Sequence, residues 1–176
     1  DTVDFVPNYD NTTTEPVLFP TTFPAILVNN NVGIAVSMAS SICSFNLTEV
    51  CESAIGLLKD PDFDISETLK GPDFPGGGFL IHDPAELRRI YETGRGSLRV
   101  RGRYHYDKTA GCIEITEIPP TATVEVIIDK IIELVKAGKV REIADIRDET
   151  DLSGLKIAIE TKRGADADKL MQKLFR

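Results

Sequence analysis

Between residues 98 and 175 the spacing of apolar residues switches between a period of two and a period of 3.6, and this switching constrains the fold more than any other feature. Leu98, Val100, Gly102, Tyr104 and Tyr106 alternate with Arg99, Arg101, Arg103 and His105, which predicts a strand with one inward and one arginine-rich face. After a turn at 107–111, residues 112–118 alternate again, with Ile113 and Ile115 inward, and complete a hairpin. Pro119-Pro120 then breaks the chain. Val124, Ile127, Ile128, Ile131, Leu134 and Val135 line one face of a helix over 123–137, which Gly138 closes. Residues 140–146 and 155–161 read as two further strands around a polar turn at 147–154. Asp166 caps a last helix that buries Leu170, Met171, Leu174 and Phe175. The order β-β-α-β-β-α predicts an α+β fold, one antiparallel sheet with helices packed on it.

The first half is punctuated differently. Pro7, Pro16, Pro20, Pro24 and Asn29-Asn30-Asn31 make residues 1–31 an extended connecting arm. Val32-Gly33-Ile34-Ala35-Val36 is apolar with little alternation, and reads as a buried strand or a loop packed on a core. A helical and loop segment follows. Asn46 caps a helix over 46–59, with Glu49 placed for a capping box. Residues 71–78, Gly-Pro-Asp-Phe-Pro-Gly-Gly-Gly, form turns, and Asp83-Pro84 opens a second helix that Gly94 ends. The partition is 1–31, 32–97 and 98–176.

Composition narrows the function. The 176 residues carry a net charge of −8, which alone argues against nucleic-acid binding. The distribution argues otherwise. Residues 1–70 hold Lys59 and Lys70 against ten acids, whereas Arg88, Arg89, Arg95, Arg99, Arg101, Arg103 and Lys108 face only Glu92 and Asp107 within 88–108. Cys43, Cys51 and Cys112 show neither disulfide nor zinc-site spacing, and His82 and His105 read as ordinary surface or partly buried residues. No apolar stretch is long enough to span a membrane. The chain opens on Asp1, not Met, so it reads as an excised piece of a soluble protein.

Few segments offer chemistry. Gly94-Arg95-Gly96 follows no strand and precedes no phosphate-binding lysine, so it reads as a helix cap. The acids of 147–151 could hold a divalent cation, but a solvated turn with local Arg–Asp pairing is the default. Arg99, Arg101 and Arg103 suit phosphate contacts on one reading, and pairing with Glu114 across the hairpin on the other. Tyr104 beside Arg103 imitates a nucleophilic tyrosine, but an inward mid-strand position excludes that role.

Six segments resemble one family in order along the chain. They are residues 1–10 (DTVDFVPNYD), 32–39 (VGIAVSMA), 71–75 (GPDFP), 91–97 (YETGRGS), 116–119 (TEIP) and 147–151 (RDETD). Together they resemble the A subunits of the bacterial type IIA DNA topoisomerases, DNA gyrase and topoisomerase IV. The resemblance implies an ATP-dependent type II topoisomerase, working in the bacterial cytoplasm on the nucleoid. That homodimer bends double-stranded DNA, cuts both strands through paired tyrosines, passes a second duplex and reseals.

Within that family, 1–31 corresponds to the arm from a winged-helix domain. Residues 32–97 correspond to a first tower subdomain with a DNA-wedge loop, and 98–176 to a second. The nucleophilic tyrosine lies upstream of Asp1, so no catalytic residue is expected here and the piece alone is inactive. Magnesium and ATP belong to the partner B subunit, so no metal or cofactor is expected. The resemblance implies that Ile34 wedges between base pairs, that Gly33 lets the backbone approach DNA, and that Arg95, Arg99, Arg101 and Arg103 meet the bent duplex. The alternative is a structural support of the dimer gate without DNA contact. Ser37 stands where glycine is usual, Cys43-Ser44-Phe45 where Pro-Pro-His is usual, and Pro120 where tyrosine is usual. These departures lean toward the topoisomerase IV type.

Overall fold

The computed structural model describes residues 2–175; Asp1, the first residue of the 1–10 segment, and Arg176 lie outside them. The chain separates into two compact units, Asp1–Asp73 and Phe74–Arg176.

The first unit opens with strands β1 (Phe5–Pro7) and β2 (Thr14–Pro16), paired antiparallel. The expected arm is therefore partly folded. Asn8 Oδ1 accepts the amides of Thr12 and Thr13, and Asp10 Oδ1 accepts that of Thr12, so side chains close the turn that the strands flank. A single helical turn, α1 (Ala25–Val28), precedes β3 (Asn31–Ala35) and β4 (Met38–Ile42). These two strands form an exposed hairpin, which overturns the reading of 32–36 as a buried strand or a core-packed loop.

Helix α2 (Leu47–Lys59) begins where expected. Asn46 accepts the amides of Thr48 and Glu49. The capping box is not completed, because the Glu49 carboxylate instead accepts the Lys70 amide at 3.1 Å and ties the following loop to the helix. Buried Ser53 donates to the Glu49 carbonyl at 2.8 Å and bonds the Thr68 hydroxyl at 2.7 Å. Ser44, also buried, donates to the Asp73 carbonyl at 2.6 Å. Val50 and Leu69 are the buried apolar residues of this small unit.

The second unit contains β5 (Phe79–Ile81), α3 (Pro84–Thr93), β6 (Arg99–Arg101), β7 (Arg103–Asp107), β8 (Cys112–Glu117), α4 (Val124–Lys136), β9 (Ile143–Asp148), β10 (Ile157–Thr161) and α5 (Ala167–Leu174). From β7 onward the order is β-β-α-β-β-α. The four strands form one antiparallel sheet in the order β7-β8-β10-β9, the α+β architecture expected. Ile113, Ile157, Ile159 and Leu170 are its largest fully buried side chains, each worth about 1.5–3 kcal/mol of transfer free energy. Asp83, Thr123 and Asp166 cap α3, α4 and α5, and Gly94 (φ 68°) and Gly138 (φ 70°) take the left-handed conformation that ends a helix.

Two details differ from the sequence reading. Residues 98–106 are not one strand. They break at Gly102, where an added Cβ would lie 2.6 Å from the Glu117 carbonyl oxygen, so the backbones press too close for a continuous ladder. β6 then pairs with β5, whereas β7 pairs with β8 after a register shift between Arg103 and Tyr104. The 97/98 junction of the sequence partition thus falls inside the second unit. In addition, β9 and β10 begin at Ile143 and Ile157, and β9 runs on through Arg147, which reads from sequence as turn. Among the described residues no helix is long and apolar enough to cross a membrane.

Candidate nucleic-acid interface

The β3–β4 hairpin leaves most of its large apolar side chains exposed. Ile34 is 89% exposed, Val36 98%, Met38 75% and Val32 64%. An antiparallel ribbon with nothing on either face cannot bury its side chains, so large apolar groups here face water in the isolated unit. Residues 16–48 carry no charged side chain, although the unit around them is acidic. No carboxylate on the hairpin would therefore repel a phosphate backbone.

Register defines the faces. Ile34 lies opposite Ala39 and Val32 opposite Ser41, so small partners leave Ile34 standing above its neighbours. Gly33 pairs with Ser40 on the other face, where an added Cβ would lie 3.2 Å from the Ser40 hydroxyl oxygen. Val36 and Ser37 make the two-residue turn. Ser37 has φ 67°, a conformation that glycine adopts freely and serine only under strain.

The expected arginine face is brought together only in part. Exposure alternates as expected from Arg99 to His105, but each arginine has its own surroundings. The Arg101 guanidinium lies 5.2 Å from the Phe175 ring centroid. That of Arg103 lies 5.5 Å from the Phe79 ring and pairs with Glu117 at 3.2 Å. Glu117 also accepts the Gly78 amide at 2.6 Å, and this bond, with Arg103, holds its carboxyl below the usual range. The pairing with Glu114 is not made, because Lys156 takes Glu114 at 2.8 Å. Among the described residues neither Arg95 nor Arg99 forms a side-chain ion pair, and both are exposed. Guanidiniums stacked on rings keep edge N–H groups available, whereas Arg95 and Arg99 can turn freely toward a phosphate.

Arg101 also lines a cleft of about 400 Å³ with Phe79, Tyr104, Asp168, Met171 and Phe175. There the Tyr104 hydroxyl donates to Asp168 at 3.4 Å. Burial first, then the charge of Asp168, push the phenol above the ordinary tyrosine range, the opposite of what an attacking phenolate needs. The acids of 147–151 do not converge. Arg147 bridges Asp145 (2.7 Å), Glu149 (3.3 Å) and Glu160 (2.8 Å), while Asp148 and Asp151 cap the amides of Thr150 and Ser153. No group of three potential metal ligands occurs among the described residues.

Sequence reasoning singled out Ile34 and Gly33 by resemblance, and did not foresee that Val32, Val36 and Met38 are exposed beside them. The uncharged run over 16–48 and the two-residue spacing of Val32, Ile34 and Val36 were the signals that could have found them.

Similarity to known proteins extends over the whole chain. The family model for the A subunit of DNA gyrase/topoisomerase IV matches residues 1–176. The chain is 42% identical over 182 residues to the DNA gyrase A subunit of Granulibacter bethesdensis, covering 100% of this chain and 19% of that protein. It is 42% identical over 183 residues to the DNA gyrase A subunit of Staphylococcus epidermidis, covering 100% and 20%. It is 41% identical over 186 residues to the DNA topoisomerase 4 A subunit of Synechocystis sp., covering 99% and 20%. Gyrase and topoisomerase IV names match equally well, so identity does not separate the two. The chain spans about a fifth of the length of these relatives. It belongs to the family of DNA gyrase and topoisomerase IV A subunits.

Proposed function

We propose that this chain is the tower region of the A subunit of a type IIA topoisomerase, and that it bends and positions double-stranded DNA for cleavage by an active site lying elsewhere in the protein. The observation that carries this reading is Ile34, 89% exposed on an uncharged hairpin. An apolar wedge between base pairs costs a few kcal/mol of unstacking, which the added contacts of a bent duplex offset. Arg95 and Arg99 supply phosphate contacts along the arms of that duplex. Arg101 contributes from its place over Phe175, and Arg103 is largely committed to Glu117. Gly33 keeps the hairpin face opposite Ile34 thin, which lets the ribbon enter a groove.

The intact protein would then act as a homodimer together with the topoisomerase B subunit. That partner would handle ATP and magnesium, in the bacterial cytoplasm. The reading of a gate support without DNA contact draws on one observation, that Arg101 and Arg103 are already engaged within the fold.

Unstacking distinguishes the two. A duplex carrying 2-aminopurine at the kinked step brightens when that base loses its neighbour. In the assembled enzyme the signal should rise on binding and stay flat with Ile34→Ala. A rise of equal size with Ile34→Ala refutes insertion by this residue.

A further inference from the structure

The cleft beside α5 holds a pair of charges that the fold itself does not use. It encloses about 400 Å³, within the range of about 300–1,000 Å³ that small-molecule sites occupy. The rings of Phe79 and Phe175 and the buried thioether of Met171 give it apolar walls. Arg101 and Asp168 both line it, yet they form no ion pair with each other or with any other described residue. The Arg101 guanidinium lies over the Phe175 ring, which leaves its edge N–H groups without an acceptor. Asp168 accepts only from the Tyr104 hydroxyl, at 3.4 Å, well beyond the ordinary O–H···O distance of about 2.7–2.8 Å. Most of the acceptor capacity of that carboxylate is therefore open.

These charges select the ligand. A simple anion would gain Arg101 and be repelled by Asp168, and a simple cation the reverse. The ligand that suits both is neutral, with donors on one edge, acceptors on another and a flat face for the rings. A nucleobase has this form. Guanine matches it best. Its N1–H and amino group point the same way, toward the two oxygens of a carboxylate, while O6 and N7 accept from a guanidinium fork. Adenine and cytosine carry a ring acceptor beside the amino group, and that acceptor would face the carboxylate.

We propose that this cleft is a guanine-binding site, in which Asp168 accepts from N1–H and the amino group, Arg101 donates to O6 and N7, and the Phe79 and Phe175 rings pack on the base. Two sources supply such a base, a free nucleotide and an unpaired DNA strand, and the chemistry at the cleft is the same for both. No residue of the β3–β4 hairpin lines the cleft, so the site is independent of the wedge reading above.

The test uses the full-length A subunit without its B-subunit partner, so that the ATP site proposed for that partner does not compete. One calorimetric arm titrates GMP, AMP and CMP. The other titrates two oligothymidine strands, one with a single central guanine and one with adenine there. Guanine should bind at least about tenfold more tightly than adenine in one arm or both. A preference for GMP identifies a free nucleotide as the source, and a preference confined to the strands identifies unpaired DNA. Asp168→Asn should erase the preference, because a carboxamide offers one acceptor oxygen where the carboxylate offers two. The Asp168 side chain is exposed, so the unfolding midpoint of the variant should match wild type. The wild-type comparison stands by itself if the variant loses stability. Equal affinities for guanine and adenine in both arms overturn the proposal, and so does the absence of binding in both. A guanine preference that survives Asp168→Asn also overturns it. None of these outcomes bears on the 2-aminopurine signal assigned to Ile34, so the two readings fail separately.

Discussion

Ile34 stands directly across the β3–β4 hairpin from Ala39, and the difference in size between the two lifts the isoleucine clear of the ribbon. The protrusion of the proposed wedge depends on its neighbour being small as much as on Ile34 itself. Ala39→Leu should therefore blunt it. The exposed position predicts a stability change within about 0.5 kcal/mol. DNA bending by the assembled enzyme should fall nonetheless, as read by end-to-end fluorescence transfer. Unimpaired bending with Ala39→Leu would mean that protrusion is not what matters.

Ser37→Gly relieves the left-handed conformation at φ 67°. The strain removed, about 1–2 kcal/mol, exceeds the added unfolded-state entropy of glycine, about 0.4–1 kcal/mol. Urea denaturation should show a net gain of up to about 1.5 kcal/mol. A loss would show that the serine side chain holds the turn in some other way.

Gly102→Ala should be costly, since its Cβ would lie 2.6 Å from the Glu117 carbonyl oxygen and the backbone cannot yield as a side chain can. An expected loss of about 1–3 kcal/mol would appear as a lower denaturant midpoint. An unchanged midpoint would mean that β6 and β7 separate easily there.

Glu86 predicts an acid-sensitive loop after α3. Its carboxylate accepts hydrogen bonds from Arg89, at 2.6 and 2.9 Å, and from the Ser97 amide at 3.0 Å, and these hold its pKa down to about 2. The folded value lies below the ordinary glutamate value of about 4.3. The stabilisation is thus complete above about pH 4.3 and is lost as pH falls through about 2. The protection of the Ser97 amide, its exchange rate relative to the intrinsic rate at the same pH, should fall over that window, and in Glu86→Gln the protection should not change with pH across it.

Much of the fold was legible because its determinants are local. The caps Asn46, Asp83 and Asp166 act within three residues of chain, and the alternation within the strands of 98–161 reports which side of a sheet each residue faces. The break at Gly102 was not legible, because it arises from the approach of Glu117, fifteen residues away. The partners of the arginines were hidden for the same reason: Phe175 and Phe79 reach Arg101 and Arg103 only through tertiary packing. The 32–36 segment misled because an apolar run ordinarily means burial, and here it means a surface that nothing in its own unit covers.

The arginines should divide by salt dependence. Removing one phosphate contact lowers the slope of log affinity against log salt by about 1. Arg95→Ala and Arg99→Ala should each do so, while Arg103→Ala, which frees Glu117, should chiefly lower stability. Equal slopes for all three variants and wild type would favour a support that does not touch DNA.

The most direct measurement is the bend angle of a fluorophore-labelled duplex on the full enzyme, with and without Ile34→Ala, in an assembly shown to dimerise. The wild-type enzyme should bring the duplex ends together, and Ile34→Ala should leave them near their free separation with dimerisation intact. A fully bent duplex on Ile34→Ala would contradict the role assigned to the hairpin.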